Sequence, residues 1–183
     1  MVAQRGFSRV DAVAVFSGAL RDKIHKLKYD GAHGWEIIFG RLIVGGMESH
    51  PEQMKGVDHV VGNPTHASRQ PIQHIEVIMD AAYTEDVTRH FPLGAPGAHR
   101  LVKKAETSRS ANQSLDGKCV AAAADAAALT WTGDTGDIKG ATVLLVDDVF
   151  TSGSQLQHGA LRLRASGAAD VRGLVLARVP WGA

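Results

Sequence analysis

The feature that most constrains this chain is an apolar run that ends in two adjacent acids and a short polar turn. The run is Ala141–Val146, Asp147 and Asp148 follow it, and the turn Thr151–Ser154 comes soon after. A run of this length and composition is typical of a buried parallel strand. Ligands of parallel sheets bind at the carboxyl ends of the strands, so the run predicts a sheet edge that carries two carboxylates. Because side chains alternate along a strand, these two carboxylates are expected to do different work.

The polar turn after the acidic pair predicts a phosphate site. Its members are small or carry a hydroxyl group: Thr151, Ser152, Gly153 and Ser154. The following segment, Gln155–Ala165, has apolar residues at helical spacing, and Gly167 can take a left-handed cap position after it. Free N–H groups and the positive end of the helix dipole favour an anion where such a helix begins. Carboxylates beside a phosphate cradle suit a sugar phosphate, which offers hydroxyls to the acids and its phosphate to the turn.

The rest of the pattern predicts an α/β fold with a mainly parallel central sheet flanked by helices. Strands are expected at Asp11–Phe16, Val57–Val61, Ala141–Val146 and Val171–Val179. Helices are expected at Leu20–Tyr29, Trp35–Met47, Ile72–Ala82, Gln155–Ala165 and, from its alanine content, Ala121–Ala128. The second of these helices is expected to stop near Gly45 and Gly46.

Composition excludes several classes of protein. A chain of 183 residues with 44% hydrophobic and 21% charged residues fits one folded domain over 1–183. The net charge of +1 provides no general attraction to nucleic acid or to an anionic membrane, so we expect neither as a direct partner. The single cysteine, Cys119, excludes an intramolecular disulfide, and a small semi-buried role suits it better than that of a nucleophile. Without a signal-like segment or a run of about 20 apolar residues, the chain is expected in the cytoplasm.

The segment Val143–Gln155 resembles the phosphoribosyl-pyrophosphate loop of type I phosphoribosyltransferases, in which a hydrophobic strand leads to an acidic pair and then to Thr-Ser/Thr-Gly. The resemblance implies that family's fold, with residues 1–50 and 84–140 contributing a small hood and a flexible loop. It also implies that Asp147 and Asp148 face the ribose 2- and 3-hydroxyls, and that magnesium arrives with the pyrophosphate. The implied ligand contacts of the loop are Asp147, Asp148, Val149, Phe150, Thr151, Ser152, Gly153, Ser154 and Gln155.

A narrower resemblance begins near the N-terminus. The segment Ser17–Gly31 is similar to the start of ComF-type, competence-associated phosphoribosyltransferases, with Leu-Arg, Ile-His and Leu-Lys-Tyr in order. Three features depart from these families. The four-cysteine zinc module of many ComF-type proteins is not in this sequence, Gln70–His74 stands in the region of an expected Arg-Gly-Phe-Asn-Gln stretch, and Gln155 stands where a Thr or Ser is usual.

Two further segments are implied to hold the pyrophosphate. The family places its pyrophosphate loop after the second strand, where this chain has Pro64–Arg69 (the second loop), and the implied contacts there are Thr65, His66 and Arg69. An ordinary turn with a solvated arginine would explain the same residues. The polar, basic stretch Arg100–Ser114 predicts a loop or mobile hairpin. Within it Lys103, Lys104 and Arg109 are implied to close over the leaving pyrophosphate, although a merely solvated basic loop would have the same composition.

The function implied by the resemblance is transfer of a phosphoribosyl group to a nitrogen nucleophile. Asp147, Asp148, Lys103 and Lys104 are the candidate catalytic residues. The acceptor is not identified by the sequence, and homodimers are common in the family. A non-catalytic module that binds phosphoribosyl pyrophosphate and serves regulation or DNA uptake in competence is a competing interpretation.

The acidic pair is also found in proteins of unrelated function. An unrelated phosphatase or kinase would need a nucleophilic carboxylate or a triphosphate loop, and neither pattern is present. The plainest interpretation is a βα turn in which Asp148 and Thr151 only satisfy the start of the helix.

Overall fold

The computed structural model describes residues 5–104 and 127–180. The strands in these two stretches are β1 (Arg9–Val15), β2 (His59–Gly62), β3 (Leu101–Lys103), β4 (Leu129–Trp131), β5 (Thr142–Phe150) and β6 (Asp170–Arg178). Four of them form a parallel sheet in the order β1-β6-β5-β2, whereas β3 and β4 form a separate antiparallel pair. The fold is therefore α/β with a parallel central sheet, as the sequence predicts.

The helices flank this sheet. They are α1 (Gly18–His25), which continues into a π-helical turn (Lys26–Asp30), α2 (Trp35–Ser49), α3 (Pro51–Met54), α4 (His74–Glu85), α5 (Thr135–Ile138) and α6 (Ser154–Ala165). Among the described residues no helix is both long and apolar enough to cross a bilayer.

The core lies on both faces of the sheet. On what we call the first face, Leu144 and Val146 of β5 pack with apolar residues of α1, α2 and α4. On the second face, Val143 and Leu145 pack with residues of α6, β3 and β4. Because both faces are covered, β5 is apolar at every one of these positions, which explains the continuous run in the sequence.

One helix boundary differs from the prediction. Helix α2 runs from Trp35 to Ser49, two residues past its expected end at Met47, and it includes Gly45 and Gly46 as the predicted range does. A glycine inside a helix costs only about 1 kcal/mol relative to alanine, and packing can outweigh that cost. At Gly46 an added Cβ would lie 2.8 Å from a methyl carbon of Val13, so this glycine lets α2 approach β1 closely.

The βαβ unit of the C-terminal half agrees with the prediction except at the end of its first strand, which is Phe150 rather than Val146. Strand β5 continues past the apolar run and takes in the acidic pair, and α6 begins one residue before its expected start. Gly167 has a φ of +119°, which confirms the left-handed position expected after α6.

The basic stretch after residue 100 is described only in part. Leu101–Lys103 is the strand β3, in which Leu101 pairs with Trp131 of β4. Arg109, Cys119 and most of Ala121–Ala128 lie outside the described residues.

The contact between α2 and α4 provides a test of the fold. A Cβ added to Gly40 would lie 2.6 Å from the backbone nitrogen of Ala82, and backbone cannot move aside cheaply. We expect Gly40→Ala to lower the free energy of unfolding by about 1–3 kcal/mol. The matched control is Gly45→Ala in the same helix, where a Cβ meets nothing within 4 Å. It should raise stability by up to about 1 kcal/mol in urea unfolding, and equal effects of the two changes would contradict this packing.

Candidate functional site

Strand alternation sends the two acids of β5 to opposite faces of the sheet. Asp147 lies on the second face, where its Oδ2 accepts a hydrogen bond from Asn63 Nδ2 at 2.8 Å. Asp148 lies on the first face, where its Oδ2 is 2.6 Å from Lys28 Nζ and 3.1 Å from His74 Nε2. Both side chains are buried, so each depends on these partners rather than on water. The two carboxylates therefore differ in environment although they are adjacent in sequence.

The described residues that donate hydrogen bonds to Asp147 are neutral. Besides Asn63, the backbone N–H of Asp148 donates to Asp147 Oδ1 at 2.9 Å. Burial, together with the negative charge of Asp148, raises the pKa of Asp147 to about 7, although the two hydrogen bonds oppose the change. Asp147 is therefore the member of the pair that holds a proton most readily near neutral pH.

Asp148 has the opposite balance. Burial alone would raise its pKa, but the hydrogen bond from His74 and the positive charge of Lys28 outweigh burial and hold the pKa of Asp148 below its usual range. Asp148 is therefore charged at neutral pH and forms an ion pair with Lys28. The pair of acids avoids full repulsion because its charge is concentrated on Asp148.

The residues after the acids form a turn into the N-terminus of α6. Gly153 has a φ of +77°, and an added Cβ would lie 2.6 Å from the ring of Phe150. This position therefore requires glycine. The Gly153 carbonyl accepts the first hydrogen bond of the helix, from Gln157 N at 2.9 Å. Gly153 has no side chain to cap the helix, and among the described residues the first turn receives only a long bond, from Ser154 N to the Ser152 hydroxyl oxygen at 3.4 Å. The uncapped first turn of a twelve-residue helix is a favourable place for an anion.

The acids and the turn share one cavity of about 200 Å³. It brings together nine residues that the sequence predicts as ligand contacts, and three more. The predicted ones are Asp147, Asp148, Val149, Phe150, Thr151, Ser152, Gly153, Ser154 and Gln155, and the additional ones are Lys28, Leu156 and Val175.

The second loop lies outside that cavity. Thr65 donates both its backbone N–H and its hydroxyl to the buried Glu76, at 2.8 Å and 2.6 Å. The Nδ1 atom of His66 lies 2.7 Å from the hydroxyl oxygen of Ser68. The guanidinium of Arg69 stacks 5.4 Å from the ring centroid of Tyr29.

The two predicted lysines differ in position. Lys103 ends β3 and pairs with His66 in an isolated parallel bridge, so it lies beside the second loop. It also borders a small cavity of about 30 Å³ together with Asn63 and Gln155. Lys104 is exposed, and its backbone N–H donates to the carbonyl of Ala128. Lys103 is thus the predicted lysine that the fold brings next to both loops.

Four polar residues of the site were not predicted from the sequence: Lys28, Asn63, His74 and Glu76. Of these, Asn63 could have been predicted from the sequence, because it follows β2 directly. Gly62 pairs with Val146 in the parallel register, so the next residues along, Asn63 and Asp147, are neighbours.

No protein-family model matches the chain, and no curated protein matches it.

The pKa of Asp147 leads to a test by pH. Its folded-state pKa, about 7, is above the usual value of 3.8, so the folded state binds the proton more tightly. The contribution of this group to stability therefore falls as pH rises from about 4 to 7, by at most about 1.4 kcal/mol per pH unit. We expect Asp147→Asn to lose this decline, so that the variant gains stability relative to wild type between pH 5 and pH 8 in urea unfolding. The same pH dependence in both proteins would contradict the assignment.

Proposed function

We propose that the chain binds 5-phosphoribosyl-1-pyrophosphate with magnesium and transfers the phosphoribosyl group to a nitrogen nucleophile, on a fold of the type I phosphoribosyltransferase kind. The observation that carries the proposal is the cavity in which the acids at the end of β5 face the N-terminus of α6. A sugar phosphate has hydroxyls for the acids and an anion for the helix.

The phosphate end of the ligand fits the turn. Thr151 and Ser152 are exposed and carry hydroxyl donors, and the N–H groups of the first turn of α6 add backbone donors. Because Gly153 has no side chain, a phosphate could approach the backbone closely at this position. Gln155 can donate through its side-chain amide in place of the usual hydroxyl.

The ribose fits the acidic pair. At neutral pH Asp148 carries the charge, so it can accept hydrogen bonds from a hydroxyl. A protonated Asp147 can donate one hydrogen bond as well as accept. The division of charge therefore suits a diol, which offers both donors and acceptors.

The site fits a magnesium ion that binds together with the ligand. Among residues 5–104 and 127–180 no group of three His, Cys, Asp or Glu side chains is placed to hold a metal ion. Magnesium commonly binds through substrate phosphates and water with one or two carboxylates. Asp147 and Asp148 are therefore the residues beside which a ligand-borne magnesium would lie, and there it would neutralise charge on the pyrophosphate.

The proposed reaction breaks the bond from the anomeric carbon to the pyrophosphate oxygen and forms a bond from that carbon to nitrogen, which then loses a proton. The anomeric carbon becomes positively charged along the way. The ionised Asp148 would place negative charge near the ribose ring. Arg69 of the second loop and Lys103 beside it would place positive charge near the leaving pyrophosphate. Holding the reactants in line supplies much of the remaining rate increase.

Calorimetric titration with phosphoribosyl pyrophosphate and magnesium tests the proposal. Wild type should bind, and Thr151→Val/Ser152→Ala should bind at least about tenfold more weakly, because two hydrogen bonds to a charged group are lost. Both residues are exposed, so the fold should survive. Ser166→Ala, at the opposite end of α6, is the matched control and should bind as wild type does.

Two outcomes decide the matter. Absence of binding in the wild type would overturn the proposal. Release of pyrophosphate can be followed by phosphorus NMR in the presence of a panel of nitrogen nucleophiles. Binding without such release would favour the non-catalytic module instead.

A further inference from the structure

The π-helical turn Lys26–Asp30 contacts both the end of β5 and the second loop. Lys28 forms the ion pair with Asp148 at the end of β5, and the ring of Tyr29 supports Arg69 of the second loop. Short π-helical segments are rare in proteins, and those that do occur are often found at functional sites.

The end of the π-helical turn lies close to the segment that follows the second loop. Gly31, which ends the turn, lies against Pro71, because an added Cβ would be 3.2 Å from the Pro71 Cβ. The turn is therefore packed against the chain on the side of the second loop as well as joined to Asp148.

Lys28 borders the cavity of the acidic pair, and its side chain is 21% exposed. Its ammonium group has three N–H donors, and the carboxylate oxygen 2.6 Å away can occupy at most one of them. Lys28 can therefore bind an anion in the cavity without leaving Asp148.

Arg69 contacts an aromatic ring, but one of its N–H groups has no described hydrogen-bond partner. Its guanidinium stacks on Tyr29, and its Nε atom is buried without a hydrogen-bond partner among the described residues. A buried N–H group without a partner is costly, and an oxygen of a bound anion would satisfy it.

We propose that Lys28 and Tyr29, in the turn Lys26–Asp30, form a further part of the ligand site, beside the turn before α6 and the second loop. In this proposal, which rests on the proposed function, Lys28 binds the diphosphate end of the ligand, and Tyr29 positions Arg69 to bind the same end. Lys28 of the turn and Arg69 of the second loop would thereby bind the same diphosphate group.

The two faces of the sheet support this assignment. Helix α6, with the uncapped N-terminus, packs on the second face, whereas α1 and α4, which flank the turn and the second loop, pack on the first. A ribose at the end of β5 would then place its single phosphate towards the second face. Its diphosphate would lie towards the first face, where Lys28 and Arg69 are.

Calorimetry with two partial ligands tests the inference, because magnesium pyrophosphate and ribose 5-phosphate represent the two ends. We expect Lys28→Met to weaken binding of magnesium pyrophosphate by about tenfold or more. Tyr29→Leu should weaken it by about two- to fivefold, since it removes the aromatic face beneath Arg69. Tyr29→Leu should leave binding of ribose 5-phosphate unchanged.

Two matched variants serve as controls. Tyr29→Phe keeps the ring, and Lys26→Met removes an exposed lysine from the same turn, so both should bind magnesium pyrophosphate as wild type does. Tyr29 is 51% exposed, so its variants keep the test valid even if Lys28→Met fails to fold.

The outcomes separate this inference from the proposed function. A wild type that binds neither partial ligand would overturn both. A wild type that binds both, with magnesium pyrophosphate held equally well by Lys28→Met and Tyr29→Leu, would overturn the inference alone. An equal loss of both ligands in Tyr29→Leu would also overturn it, because the turn would then support the fold and not one end of the ligand.

Discussion

The ion pair between Asp148 and Lys28 is the interaction on which the candidate site depends. Asp147 and Asp148 are adjacent and both buried, and two unpaired charges in such a place would cost several kcal/mol each. Lys28 and His74 compensate the charge of Asp148, while the proton affinity of Asp147 is raised by burial. The acids can therefore remain together at the sheet edge because Lys28 on the first face pairs with Asp148, whereas the described hydrogen-bond donors to Asp147 are neutral.

This requirement ties distant parts of the chain to one strand end. Lys28 comes from the turn after α1, His74 begins α4, and Asn63 follows β2. Helix α2 packs closely against α4 and β1 through glycines at the contacts. This packing fixes the position of α4, which carries His74. The geometry of the site is thus a consequence of the packing on the first face as much as of the loop sequence.

The sequence predicted those parts of the molecule that depend on local pattern. The apolar run, the polar turn and the apolar spacing in α6 are local, and they placed β5, the turn and the helix within a few residues. The partners of the acids depend on how helices cross the sheet, which no periodicity in one chain reveals. Asn63 is the exception, because parallel register made it a neighbour of Asp147. Glycine marks both helix ends and close contacts, so Gly45 and Gly46 indicated the end of α2 only to within two residues, at Met47 rather than Ser49.

The arrangement of charge also bears on what kind of reaction the site favours. The negative charge of Asp148 lies at the end of β5, and Lys28 and Arg69 bring positive charge on the side of the first face. A group transfer that builds positive charge on a sugar carbon and negative charge on a leaving diphosphate would meet a complementary charge at each end. The separation of charge across the strand end therefore supports the proposed transfer at the sugar carbon.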